Sequence, residues 1–240
     1  MDKKGKLYLI PNLLGGEDAG IISEQVKQVV YGLDIFIVET VRNARRYLIK
    51  LGIKEAGKTI DELTFHHLDK HTKKNQFREF LNEADNGKDI GLIADAGCPT
   101  VADPGAYLVK TAHRRGIEIV PLVGPSSILL ALMGSGMNGQ SFSFVGYVPI
   151  KNPDRSRRLL QLEKWATQNQ RQTQIFMEAP FRNDSLLKDI LRTCHPATKL
   201  CVAVNLTLPN QQIISQTIEH WKEDTIPSFH KQPAIFILGR

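Results

Sequence analysis

Short apolar runs that end in turn residues recur along the chain. Lys6–Ile10, Ile35–Val38, Thr64–Leu68, Ile90–Ala94 and Ile117–Val123 are the length of strands and are stopped by Pro, Gly or Asp. Between them lie segments with the polar-faced pattern of helices. These are Ser23–Tyr31 with Ser23 at the N-cap, Glu39–Leu48, Lys73–Asn86 closed by Gly87, and Tyr107–Arg115 closed by Gly116. Alternation of strand and helix predicts a parallel α/β sheet. Beyond about residue 120 the texture changes. A helix begins at Ile128, and strands are predicted at Phe142–Tyr147, Gln174–Met177, Leu200–Asn205, Gln212–Gln216 and Pro233–Leu238. Only Leu159–Gln168 and Asp184–Leu191 read as helices among them, and Lys151–Arg158 (KNPDRSRR) reads as a basic loop. This half is predicted as a mixed or antiparallel α+β unit. The boundary falls near 117–123, dividing the chain into an N-terminal α/β domain over 1–119 and a C-terminal α+β domain over 120–240. With no flexible linker at the boundary, the two are expected to pack with a cleft between them.

Composition narrows the class. With 240 residues, 42% hydrophobic and 23% charged, the chain is an ordinary globular sequence, not a disordered one. The formal net charge of +6 favours anionic partners such as RNA. Three cysteines without CxxC spacing argue against a disulfide scaffold and a zinc site, and suit a reducing, cytoplasmic setting. His66, His67 and His71 lack acidic or Cys partners at ligand spacing, so no metal is expected. No apolar stretch is long enough to span a membrane.

The densest chemistry lies in Ile90–Gly105, IGLIADAGCPTVADPG. A buried strand runs there into a loop of small residues with two carboxylates, Asp95 and Asp103. Ligands of open α/β sheets bind past the carboxyl ends of strands. The loop therefore reads either as a ligand site or as a structural turn capping the next helix. Gly124-Pro125-Ser126-Ser127 repeats the strand, small-residue loop, helix arrangement. Arg42, Arg45 and Arg46 fall on one helix face, as phosphate grips or as a solvated basic surface. The first loop, Asn12–Asp18, has two glycines but neither GxGxxG nor GK[ST], so it reads as a turn.

Several motifs in order carry a family resemblance: KLYLIP, Glu39…Arg42…Arg45-Arg46, DAGCPTVADPG, VPLVGPSS, FSFVGYVP followed by basic residues, and IFMEAPFR. On these the chain resembles the tetrapyrrole methylase superfamily of S-adenosylmethionine-dependent methyltransferases. It looks most like the branch that 2′-O-methylates a cytidine of bacterial 16S ribosomal RNA. The resemblance implies two α/β domains with S-adenosyl-L-methionine between them, and a homodimer acting on ribosomal RNA or the small subunit. Carried over, the cofactor contacts are Asp95, Ala96, Gly97, Val101, Ser126, Ser127 and Met177, with Ala203 and Pro233. Glu39 is the candidate catalytic base, and Arg42, Arg45, Arg46, Arg155, Arg157 and Arg158 the RNA contacts. The pattern departs from the family at residue 40, Thr in place of a carboxylate, and at Val204-Asn205, which replace Arg-Glu. Two alternatives stay open: C-methylation of a tetrapyrrole, and an RNA module that binds the cofactor with little catalysis.

Overall fold

The computed structural model describes residues 3–169, 171–223 and 225–240, leaving aside the side chains of residues 74 and 169. The chain forms two compact units that divide between Ser126 and Ser127.

The first unit is built on five parallel strands: β1 (Lys6–Ile10), β2 (Ile35–Val38), β3 (Thr64–His67), β4 (Ile90–Ile93) and β5 (Glu118–Pro121), in the order β3-β2-β4-β1-β5. Alternate side chains serve opposite faces. Ile10, Phe36, Val38 and Ile93 meet helices α1 (Glu24–Tyr31) and α2 (Val41–Lys50) through Val26, Val30, Tyr47 and Leu48. Leu7, Ile35, Ile37, Ile90 and Leu92 meet α3 (Lys74–Glu79), α4 (Asn82–Asp85) and α5 (Ala106–Arg114) through Phe77, Ala84, Leu108 and Ala112. Ser23 caps α1 as expected, its Oγ accepting from the Val26 amide. The single helix predicted over Lys73–Asn86 is two short ones, broken at Phe80-Leu81. β5 pairs with β1 and so belongs to this unit.

The second unit opens with α6 (Ser127–Ser135). It has five strands, β6 (Phe142–Tyr147), β7 (Thr173–Met177), β8 (Lys199–Val204), β9 (Gln212–Thr217) and β10 (Ala234–Gly239), in the order β6-β7-β10-β8-β9. Only β6 and β7 run parallel, which gives the mixed sheet expected. The helices are α7 (Asp154–Lys164), α8 (Asn183–Thr193) and α9 (Ile218–Glu223). Leu159, Leu162, Leu186, Ile190 and Trp221 close over Phe176, Val202 and Phe236. Five of the eight residues of the predicted basic loop are helical: α7 starts at Asp154, an acidic residue in the first turn directly after Pro153.

Candidate functional site

Because the first sheet is all parallel, the segments following β1, β2, β4 and β5 emerge on one edge. The chain leaves β1 across β4 and leaves β4 across β1, so the switch point lies between these two strands. Two loops meet there. Asn12 and Gly97 form an isolated antiparallel bridge, the Asn12 amide donating to Gly97 O at 2.8 Å and the Gly97 amide to Asn12 O at 3.2 Å. The Asn12 side chain, 5% exposed, donates to Ala94 O at 2.8 Å and accepts from the Leu13 amide at 2.7 Å. Gly97 holds a left-handed φ of +66°, and its backbone polar groups are engaged with the first loop. Gly124 lies equally close to Pro11: a Cβ at 124 would sit 2.1 Å from Pro11 Cβ. The loop after β5 is therefore pressed onto the loop after β1.

Three carboxylates gather on this edge. Glu39, directly after β2, accepts the Asp95 amide on Oε2 at 3.0 Å. Asp95 Oδ2 accepts from Thr40 Oγ1 at 2.7 Å and from Asn43 Nδ2 at 3.0 Å. Thr40 thus supplies a donor where the resemblance expects a second acid. Burial, together with the Asp95 charge, holds Glu39 above the usual carboxylate range against the pull of the Asp95 amide. Asp103 is pushed up to about 7, first by burial and then by the charges of Glu39 and Asp95. Its carboxylate has no hydrogen bond among the described residues. The structure makes Asp103 the most perturbed acid of the edge.

Asp95, Ala96 and Val101 are open to solvent, and Ser126 is partly so. A cleft of about 630 Å³ is lined by Asp95 and Ala96, by Leu13–Gly16 and by Asn43, Arg46 and Lys50 of α2. Arg42, Arg45 and Arg46 are all exposed, with Arg45 over the Phe65 ring at 5.5 Å.

In the second unit, Ser127 is the first residue of α6. Met177 and Ala203 lie opposite Ile235 on either side of β10, and Pro233 O accepts the Asn205 amide. Met177 and Pro233 have open surface, whereas Ala203 is 1% exposed and offers a ligand none. Val204 is core. Asn205, at φ +51°, forms the turn beside Pro233, its Nδ2 bonded to Gln232.

The structure corrects the reading of Arg155. It is 1% exposed, not a surface cation. Its guanidinium donates to Pro149 O at 2.8 Å, Ser185 Oγ at 3.2 Å, Asp189 Oδ2 at 3.0 Å and Glu178 Oε2 at 3.0 Å. With those donors engaged and the side chain sealed from solvent, Arg155 cannot meet an RNA phosphate. Arg157 is exposed and paired with Asp154, and Arg158 lies over the Trp165 ring at 5.2 Å. Glu178 escaped sequence reading, although an acid directly after a buried strand signals a need for a buried partner.

A parallel five-stranded sheet with loops clamped at its switch point, followed by a mixed five-stranded sheet, defines the fold class. The chain belongs to the tetrapyrrole (corrin/porphyrin) methylase family, whose sequence profile matches residues 16–221. Among relatives, the ribosomal RNA small subunit methyltransferase I of Vibrio cholerae is 31% identical over 201 residues, covering 84% of this chain and 65% of that protein. The protein of the same name from Buchnera aphidicola is 27% identical over 241 residues, covering 99% of this chain and 79% of its own. The chain thus spans about two-thirds to four-fifths of the length of these relatives. Among solved structures, the methyltransferase CobJ superposes with a TM-score of 0.64 at 17% identity, covering 98% of this chain and 94% of that one. Uroporphyrin-III C-methyl transferase from Thermus thermophilus, complexed with S-adenyl homocysteine, superposes with a TM-score of 0.56 at 18% identity, covering 98% of each chain. At such identities the structures speak for the fold.

Proposed function

We propose that the chain is an S-adenosyl-L-methionine-dependent methyltransferase acting on the 2′-hydroxyl of a cytidine ribose in 16S ribosomal RNA, as a cytoplasmic homodimer. The observation that carries this reading is the carboxylate-bearing edge clamped by Asn12 and Gly97, beside a cleft lined by Arg46 and Lys50. The names of the relatives supply the substrate class. The donor set suits the cofactor. A sulfonium and an ammonium are cations, and Glu39, Asp95 and Asp103 form an acidic edge with small, open residues beside it. Asp95, Ala96, Val101 and Ser126 of the first unit would hold the cofactor.

When bound, the cofactor supplies an activated methyl carbon. What this chain must do is orient the ribose hydroxyl, exclude water and take the hydroxyl proton. Glu39 Oε2 is held by the Asp95 amide, and Oε1 has no hydrogen bond among the described residues. A half-buried carboxylate with raised proton affinity, fixed at one oxygen, suits a base acting through the other. The exposed guanidiniums of α2 grip phosphates. For the dimer, the support is α6. It is apolar on every side, and its Leu129 and Met133 are 50% and 77% exposed. No described helix is long and apolar enough to cross a membrane.

The test is transfer of labelled methyl from the cofactor to small ribosomal subunits from a strain lacking the gene. Label on a cytidine 2′-oxygen is the expected result. Label only on a tetrapyrrole, or binding of cofactor and RNA without transfer, would overturn it.

A further inference from the structure

The second unit carries an exposed aromatic and cationic cluster that the reading above does not use. Tyr147 ends the edge strand β6 opposite Met177 of β7, which brings the segment after β6 beside the segment after β7. Arg155 ties these two segments together, donating to Pro149 O in the first and to Glu178 in the second. Glu178 Oε1 in turn takes Arg182 Nη2 at 2.7 Å. Arg182 is thereby fixed with its guanidinium 4.6 Å from the centre of the Phe181 ring. Tyr147 lies within electrostatic reach of Arg182. Phe181 is 58% exposed and Tyr147 60%.

The two open rings sit among cations. Lys151 and Arg157 are exposed on the adjoining segment and on the first turns of α7. Ring faces beside guanidiniums and ammoniums are what proteins use to stack unpaired bases while holding the flanking phosphates. A paired base hides its faces in the duplex stack, so the platform selects single strands.

We propose that Tyr147, Phe181 and Arg182 form a stacking platform for an unpaired base of single-stranded RNA, held in shape by the buried Arg155–Glu178 pair. The inference rests on the RNA reading and adds to it a second contact, remote from the carboxylate edge in sequence and selective for unpaired substrate.

The test is fluorescence anisotropy with a labelled single-stranded 12-nucleotide oligocytidine and, separately, a 12-base-pair RNA duplex. Phe181→Ala and Tyr147→Ala are each expected to weaken the single strand about tenfold and to leave the duplex unchanged, while Phe181→Trp binds like the unaltered protein. Arg42→Ala/Arg46→Ala serves as the control on α2 and should weaken both probes. If that control weakens binding and the aromatic variants do not, the platform is wrong and the RNA reading stands. If the unaltered protein binds neither probe and methylates no RNA, both fall. If Phe181→Ala leaves RNA binding intact and instead turns a dimer into a monomer in sedimentation, the rings belong to a subunit contact and the platform is overturned.

Discussion

The backbone amide of Asp95 donates to Glu39 Oε2 at 3.0 Å, joining the end of β4 to the end of β2. The two acids divide the work of this edge. Glu39 holds the loop by one oxygen, and Asp95 keeps Thr40 and Asn43 on its own Oδ2. Replacing Glu39 with Gln preserves shape and removes proton-accepting capacity. Turnover is expected to fall about 10²- to 10⁴-fold, with cofactor affinity by calorimetry within a few-fold. Equal losses in turnover and affinity would mean that Glu39 acts only on loop shape.

Asp103 supplies a stability signature. Its proton affinity is raised in the folded chain, to about 7, above the ordinary value of 3.8. Between those values the folded state binds more protons than the unfolded one, so stability contributed by the protonated acid is full at pH 3 to 4 and is lost as pH rises through 7. Asp103→Asn removes the titration. The variant should melt with the unaltered protein near pH 4 and several degrees above it at pH 8. That corresponds to about 1–2 kcal/mol once solvent screening is allowed for. Parallel melting curves across the range would contradict the assignment.

Gly124 faces Pro11 with no room for a side chain. Gly124→Ala must push the loop after β5 off the loop after β1, displacing Ser126. We expect cofactor affinity to drop at least about tenfold while far-ultraviolet circular dichroism stays unchanged, since the strands themselves are untouched. An alanine variant with full affinity would show that this contact does not shape the site.

Arg155 gives the opposite expectation from a surface cation. Arg155→Met takes the partner from the buried Glu178 Oε2 while Arg182 stays on Oε1, so the cost is at most about 3–5 kcal/mol. Adding Glu178→Leu should recover much of that loss in chemical denaturation. Exposed Arg42→Ala should leave the melting temperature within a degree and reduce the salt dependence of RNA binding.

These cases mark where sequence reading succeeds and where it stops. Ile35–Val38 and Phe142–Tyr147 match the predicted ends because a short apolar run between turn residues has one favourable solution, a buried strand. The acids at 39 and 95 were visible because they follow such strands. The bridge from Asn12 to Gly97 was not, since neither local pattern names its partner. Arg155 misled for the same reason. KNPDRSRR has the composition of a solvated loop, and what buries one of its arginines lies 23 and 34 residues away, at Glu178 and Asp189. α9 escaped because six residues hold too few turns for a periodic pattern.

The placement of β1 sets the order in which this protein can be made. β1 leaves the ribosome before both strands that flank it, β4 and β5, and Lys6 meets Glu118 across 112 residues of chain. At synthesis rates of about 5–20 residues per second, Lys6–Ile10 waits roughly 4 to 16 seconds for β4, its first strand partner. During that time β2 and β3 already have each other, while the apolar KLYLI segment has no native sheet to join. A nascent chain stalled before residue 90 is thus expected to be a substrate for chaperones that bind apolar segments, and one stalled beyond the exit tunnel's reach past residue 126 is not.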